Sequence, residues 1–216
     1  MPSPRPQIRD RYGGDVDRSS VGTSRVSTSS KQQYQRLSQT LLLAVALFCL
    51  LMSMAQLGTN VYTKDGNYVQ VWTTLWKSET CPTGQEDSSL CTTTTLPSGQ
   101  CQESDDRQRT MQAFGIILFM VVTATSVLAI IDVARPDMLP PLTTIVCMAV
   151  TMFTSLIQWG VIAGTYHVNL CDGRSMSSSG YRMSASFALV MCIWLASLFN
   201  LVAVVSLRYF FGTGLS

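Results

Sequence analysis

Four stretches of this chain carry no charged residue: Leu37–Leu57, Thr110–Ile131, Leu139–Tyr166 and Met183–Leu207. A helix rises ~1.5 Å per residue, so ~20 apolar residues cross the ~30 Å of hydrocarbon in a bilayer. Every one of the four stretches is long enough. Four such runs within 216 residues leave little chain for a soluble domain. Charged residues make up 13% of the sequence, about half the roughly 25% of soluble domains. The expected fold class is an all-α membrane protein, a four-helix transmembrane bundle with a small disulfide-bonded extracellular β-sheet. Spans are expected at about 37–57, 111–131, 142–165 and 183–207 within a four-span domain over 37–208.

Charge and cysteine both indicate sidedness. Seven Lys and Arg residues precede Leu37: Arg5, Arg9, Arg11, Arg18, Arg25, Lys31 and Arg36. Arg135 lies in the turn between the second and third runs, and Arg208 follows the fourth. This bias places both termini in the cytoplasm and the loops 58–110 and 166–182 outside. Cys81, Cys91, Cys101 and Cys171 all fall in those two loops, as expected of disulfides in an oxidising compartment. Cys49, Cys147 and Cys192 lie inside apolar runs and read as small buried hydrophobes.

Residues 1–36 are rich in Ser, Arg, Gly and Gln, and read as a disordered cytoplasmic tail. The first span then serves as a retained signal anchor. The C-terminal 209–216 is expected to be cytoplasmic.

The first outer loop holds Trp72-Thr-Thr-Leu75-Trp76 and then Cys81. Asp65-Gly66-Asn67 is a turn signal, and Tyr68–Trp76 is the best strand candidate in the chain. A small antiparallel sheet of two to four strands is expected. Cys81, Cys91 and Cys101 follow at equal intervals. No Cys-x-x-Cys occurs, and His167 is the one histidine, so no metal or other cofactor is expected. The Thr92–Thr95 run beside Pro97 is a candidate for O-glycans, and no Asn-x-Ser/Thr sequon occurs.

Arg107 and Arg109 precede the second span and are expected at the headgroups, or paired with Asp105 and Asp106. Trp159 and Tyr166 read as interfacial anchors. Gly160 and Gly164 form a Gly-x-x-x-Gly, expected to serve packing within the chain ahead of dimerisation. Asn200 lies deep in the fourth span, where an amide is expected to bond across helices.

With these residues in hand, the chain resembles the amastin family, small four-span surface proteins of kinetoplastid parasites. Thr74-Leu75-Trp76 with Cys81 resembles the family signature. Arg109-Thr-Met-Gln112-Ala113-Phe114 resembles the family's approach to the second span. Tyr166 through Cys171 to Tyr181-Arg182 and Phe187 is similar to its third-to-fourth connection. Trp72 stands where the signature has its first Cys, and Lys77 stands where it has Gly, as in a divergent member. Leu75-Trp76 followed by Cys81 and Cys91 also resembles claudins. That resemblance implies a small sheet standing on a left-handed four-helix bundle.

The resemblance implies a non-enzymatic, multi-pass plasma-membrane surface protein. Its expected partners are the lipid bilayer, host-cell surface molecules or further copies of itself, with no nucleic acid. The alternative is a transporter or channel, or an accessory subunit of one. Against it stands the lack of ionisable residues within the four runs; Asp132 is at an edge. Catalysis has one candidate, His167 with Cys171, and the latter is better explained as a bridge. Four outer cysteines allow three pairings. The pairing expected is Cys81–Cys91 within the sheet and Cys101–Cys171 between loops.

Overall fold

A computed structural model describes residues 22–83, 90–99, 101–135, 138, 140–169 and 173–212. Four long helices follow the four apolar runs: α1 (Gly22–Gly58), α2 (Gln102–Ala134), α3 (Pro141–His167) and α4 (Ala185–Gly212). Each contains a segment long and apolar enough to cross a membrane. They form a closed ring in which α1 packs on α2 and α4, and α3 packs on α2 and α4.

Many large apolar side chains of the ring face outward. Leu51, Met120, Phe153, Phe199 and Val202 are all exposed on helix faces. Its interior combines apolar side chains, among them Leu118, Met148, Ile162 and Ile193, with small and polar groups, including Ser53, Gln56, Thr125, Ser126, Thr151, Gln158 and Ser197. Hydroxyls are shared across the helix seams. Ser126 Oγ donates to the Ala46 carbonyl at 3.1 Å, and Thr125 and Thr151 meet at 3.2 Å. This polarity suits a hydrocarbon solvent, where association rests on close contact and interhelical hydrogen bonds.

Helix α1 continues back to Gly22, fifteen residues before the expected start of the first span. A helix already nucleated in the span adds residues at little cost, and Lys31–Arg36 is rich in fair helix formers. Residues 1–21 lie outside the described residues. Helix α2 likewise begins at Gln102, inside what reads as loop. Glu103 and Asp105 in its first turn complement the helix dipole. Arg107 pairs with Glu103 at 3.1 Å, one turn away, and not with the neighbouring aspartates.

The sheet has five strands: β1 (Tyr62–Asp65), β2 (Val69–Thr73), β3 (Lys77–Pro82), β4 (Thr92–Thr95) and β5 (Arg182–Met183). Their spatial order is β4-β3-β2-β1-β5, and all pairs are antiparallel. One strand more than expected is present because the loop between α3 and α4 contributes β5, which pairs with β1 at Tyr62↔Met183. The β1–β2 turn depends on Gly66, where a Cβ would stand 2.9 Å from the Val69 carbonyl oxygen.

The expected strand Tyr68–Trp76 is broken. Extended pairing stops at Thr73, and Thr74–Trp76 turns the chain back into β3. Local side-chain bonding competes with the ladder here. The Thr74 hydroxyl accepts from the backbone N–H groups of Trp76 at 3.2 Å and Lys77 at 3.1 Å.

Several further expectations change. Gly160 and Gly164 have nothing within 4 Å of an added Cβ, so this pair faces out of the bundle and not into it. Cys49 is buried as expected, but Cys147 is half-buried and Cys192 exposed. Asn200 is buried, yet its amide has no hydrogen-bond partner among the described residues. Asp132, at the edge of its run, is buried.

Candidate functional site

The chemistry of this molecule converges where the sheet meets the bundle. The β2–β3 turn points its tip downward, and Leu75 at that tip is fully buried. Its side chain enters a notch at Gly115 of α2, beside Leu57 of α1 and Gln158 of α3. A Cβ on residue 115 would stand 3.2 Å from Leu75 Cδ1, so a large side chain there would compete with Leu75 for the notch.

Gln108 and Gln112, one turn apart on α2, close on the Leu75 backbone. Their Nε2 groups donate to its carbonyl at 2.6 and 2.8 Å. Gln112 also donates to the Leu96 carbonyl at 3.2 Å, which binds the chain leaving β4 to the same helix face. Trp76 spans the other side. Its indole N–H donates to the Leu57 carbonyl at 3.1 Å. That carbonyl lies in the last turn of α1, where the helix itself leaves acceptors unmatched.

Tyr62 forms a second attachment. Burial is complete, and its hydroxyl donates to the Ile162 carbonyl of α3 at 2.7 Å. Its ring stacks on Tyr166, whose hydroxyl donates to the Tyr181 carbonyl at 2.9 Å. Tyr166 therefore ties the α1–α2 loop to the α3–α4 loop. Lys64 lies 5.3 Å over the Tyr181 ring. Burial pushes the Tyr62 phenol well above the ordinary tyrosine range, and it raises that of Tyr181 too.

Cys81 and Cys91 form a disulfide. The β3–β4 register places Thr80 opposite Thr92, so the two cysteines are the next facing pair. Their Cα atoms are 4.3 Å apart, close to the ~4.5 Å of a non-hydrogen-bonded antiparallel pair. Cys101, at the N-cap of α2, is also disulfide-bonded. The expected partner, Cys171, lies outside the described residues, and with it the candidate His167–Cys171 pair.

Thus Thr74, Leu75, Trp76 and Gln112 come together at the junction, with Cys81 one ladder away. Arg109 and Ala113 sit on the exposed side of α2, and Phe114 is half-buried. Tyr181 packs beneath Lys64, and Arg182 is exposed on β5. Tyr62, Gln108 and Gly115 escape a reading of the sequence. A signal for the last two exists: 108, 112 and 115 share one helical face. Among the described residues no three His, Cys, Asp or Glu side chains gather where they could hold a metal ion. The arrangement is one of rigid attachment, leaving the far rim of the sheet open. Tyr68 is 85% exposed there, and all of β4 faces solvent.

The sequence pattern of the amastin surface glycoproteins matches residues 40–204, from within α1 to within α4, and so takes in the whole sheet and its junction. The chain belongs to the amastin surface glycoprotein family. No curated protein matches it. Membership and the four apolar helices make it a multi-pass surface membrane protein. In this amastin Leu75 and Trp76 are contacts that seat the sheet on the helices.

Proposed function

We propose that this amastin is a non-enzymatic surface protein that holds its five-stranded sheet outside the cell for contact with other surfaces. Both termini lie in the cytoplasm, and the candidate partners are host-cell surface molecules or further copies of the chain. The observation that carries this reading is the seating of Leu75 between Gly115, Gln108 and Gln112. A sheet pinned to its bundle in this way is a rigid platform, and rigid platforms lose little entropy on binding. The Cys81–Cys91 bond supports an oxidising setting at the same end. The excess of Lys and Arg before α1 and in the α2–α3 turn supports a cytoplasmic opposite end. The family's description as surface glycoproteins supports the same sidedness.

The test is labelling of intact cells with a membrane-impermeant thiol reagent, before and after mild reduction. Labelling of Cys81 and Cys91 only after reduction is the expected result. Labelling only after permeabilisation would place the sheet inside and overturn the reading.

A transporter or channel is the second reading. Its supporting observation is that the amides of Gln56 and Asn200 are buried and have no hydrogen-bond partner among the described residues. It predicts ion flux through purified protein in liposomes that is lost in Asn200→Leu; absence of flux removes it.

A further inference from the structure

Among the described residues strand β4 is the edge of the sheet, paired with β3 on one side only. Its sequence is Thr92-Thr93-Thr94-Thr95, and every residue of it is exposed. Successive side chains of a strand point to opposite faces, so hydroxyls stand on both sides of this edge. The segment from Cys91 to Gln102 carries no charge. Such an edge, β-branched, uncharged and open, is a template for pairing with another chain, and proteins ordinarily blunt it with Lys, a bulge or a covering segment. Lys is missing here, and Pro97 stands beyond the strand's end.

We propose that Thr92–Thr95 is an O-glycosylation site, whose sugars cover this edge. The inference rests on the extracellular placement proposed above. The 216 residues contain no Asn-x-Ser/Thr sequon, so a sugar on this chain has hydroxyls as its acceptors. Thr92–Thr95 supplies four adjacent ones in an extended segment near Pro97, the composition of O-glycosylated stalks. Thr83, by contrast, donates its hydroxyl to the Gly66 carbonyl.

The donor is a nucleotide-activated sugar. Threonine Oγ1 forms a bond to the anomeric carbon as the bond from that carbon to phosphate oxygen breaks. The nucleoside diphosphate leaves with the electron pair, and the hydroxyl proton passes to a base of the transferase. The rest of the sheet is untouched: β4 keeps its ladder to β3, and the Cys81–Cys91 bond lies one pair beyond Thr92.

The test uses full-length protein purified from the surface membrane of its native cells. Trypsin releases the peptide 78–107 after Lys77 and Arg107. After reduction, electron-transfer fragmentation assigns added mass residue by residue. Hexose or N-acetylhexosamine increments on Thr92–Thr95, removed by alkaline β-elimination, are expected. They should vanish when all four threonines become valine and persist when all four become serine. An unmodified peptide, or sugar confined to other residues, overturns the proposal. If Cys81 and Cys91 label from outside while the peptide is bare, the glycan site falls and the surface reading stands. If those cysteines label only after permeabilisation, the surface reading falls and takes the site with it.

Discussion

A Cβ on Gly115 would stand 3.2 Å from Cδ1 of Leu75, forty residues earlier in the chain. The β2–β3 turn and the second helix therefore meet as plug and notch. Leu75→Ala empties a fully buried site and is expected to cost about 2–5 kcal/mol, as for other buried leucines. Gly115→Leu should be comparably damaging by overpacking. Gly160→Ala is the control: nothing lies near it, and replacing a helical glycine should be neutral or stabilise by up to ~1 kcal/mol. Thermal unfolding in detergent reads all three, and equal effects of the two glycine substitutions would refute the notch.

Gln108 and Gln112 share one acceptor, the Leu75 carbonyl. Either glutamine alone still satisfies it. The double variant Gln108→Leu, Gln112→Leu leaves a buried carbonyl unpaired, a penalty of about 1–3 kcal/mol. The pair should therefore be more harmful together than the sum of the single changes. A double-mutant cycle measures this, and simple additivity would show that the two bonds are independent.

The buried Tyr62 phenol makes stability depend on alkaline pH. Its folded pKa is raised by burial, above an unfolded value of about 10. The contribution is thus fully present below about pH 10 and is lost as pH rises toward the folded pKa. Stability measured from pH 9 to pH 11 should fall, and Tyr62→Phe should flatten part of that slope. Tyr181, raised in the same direction, accounts for a further part. An unchanged slope in Tyr62→Phe would show that the phenol ionises without cost. The same variant loses the bond to Ile162, at roughly 1 kcal/mol.

The Cys81–Cys91 bond closes a loop with a sequence separation of 10. The chain-entropy treatment gives about 2–3 kcal/mol for such a loop. Cys81→Ser with Cys91→Ser should lower the unfolding midpoint and increase proteolysis between β3 and β4. The helices, which do not depend on this bond, should keep their far-ultraviolet circular dichroism. Loss of helical signal would mean that the sheet is needed to hold the bundle.

The four spans were legible in the sequence because hydrocarbon excludes charge, so the absence of Asp, Glu, Lys and Arg from each run is a direct physical signature. The turn at Asp65–Asn67 was legible for a similarly local reason, since its glycine meets a carbonyl three residues away. Leu75 and Trp76 were visible as a motif, but their roles were not. By β-propensity they continue a strand; in the fold they end one, because Gly115, Gln108, Gln112 and Leu57 reward a turn there. Strand β5 was hidden because two residues carry no periodicity of their own and pair only with β1. Gly160 and Gly164 read identically whether they face a neighbour in the chain or the lipid, and only the ring of helices decided that they face out. Sequence alone thus determined what must lie in the membrane, since that depends on each segment's own transfer from water. Tertiary structure decided how the sheet is seated on the bundle, since that depends on groups distant in the chain arriving at one place.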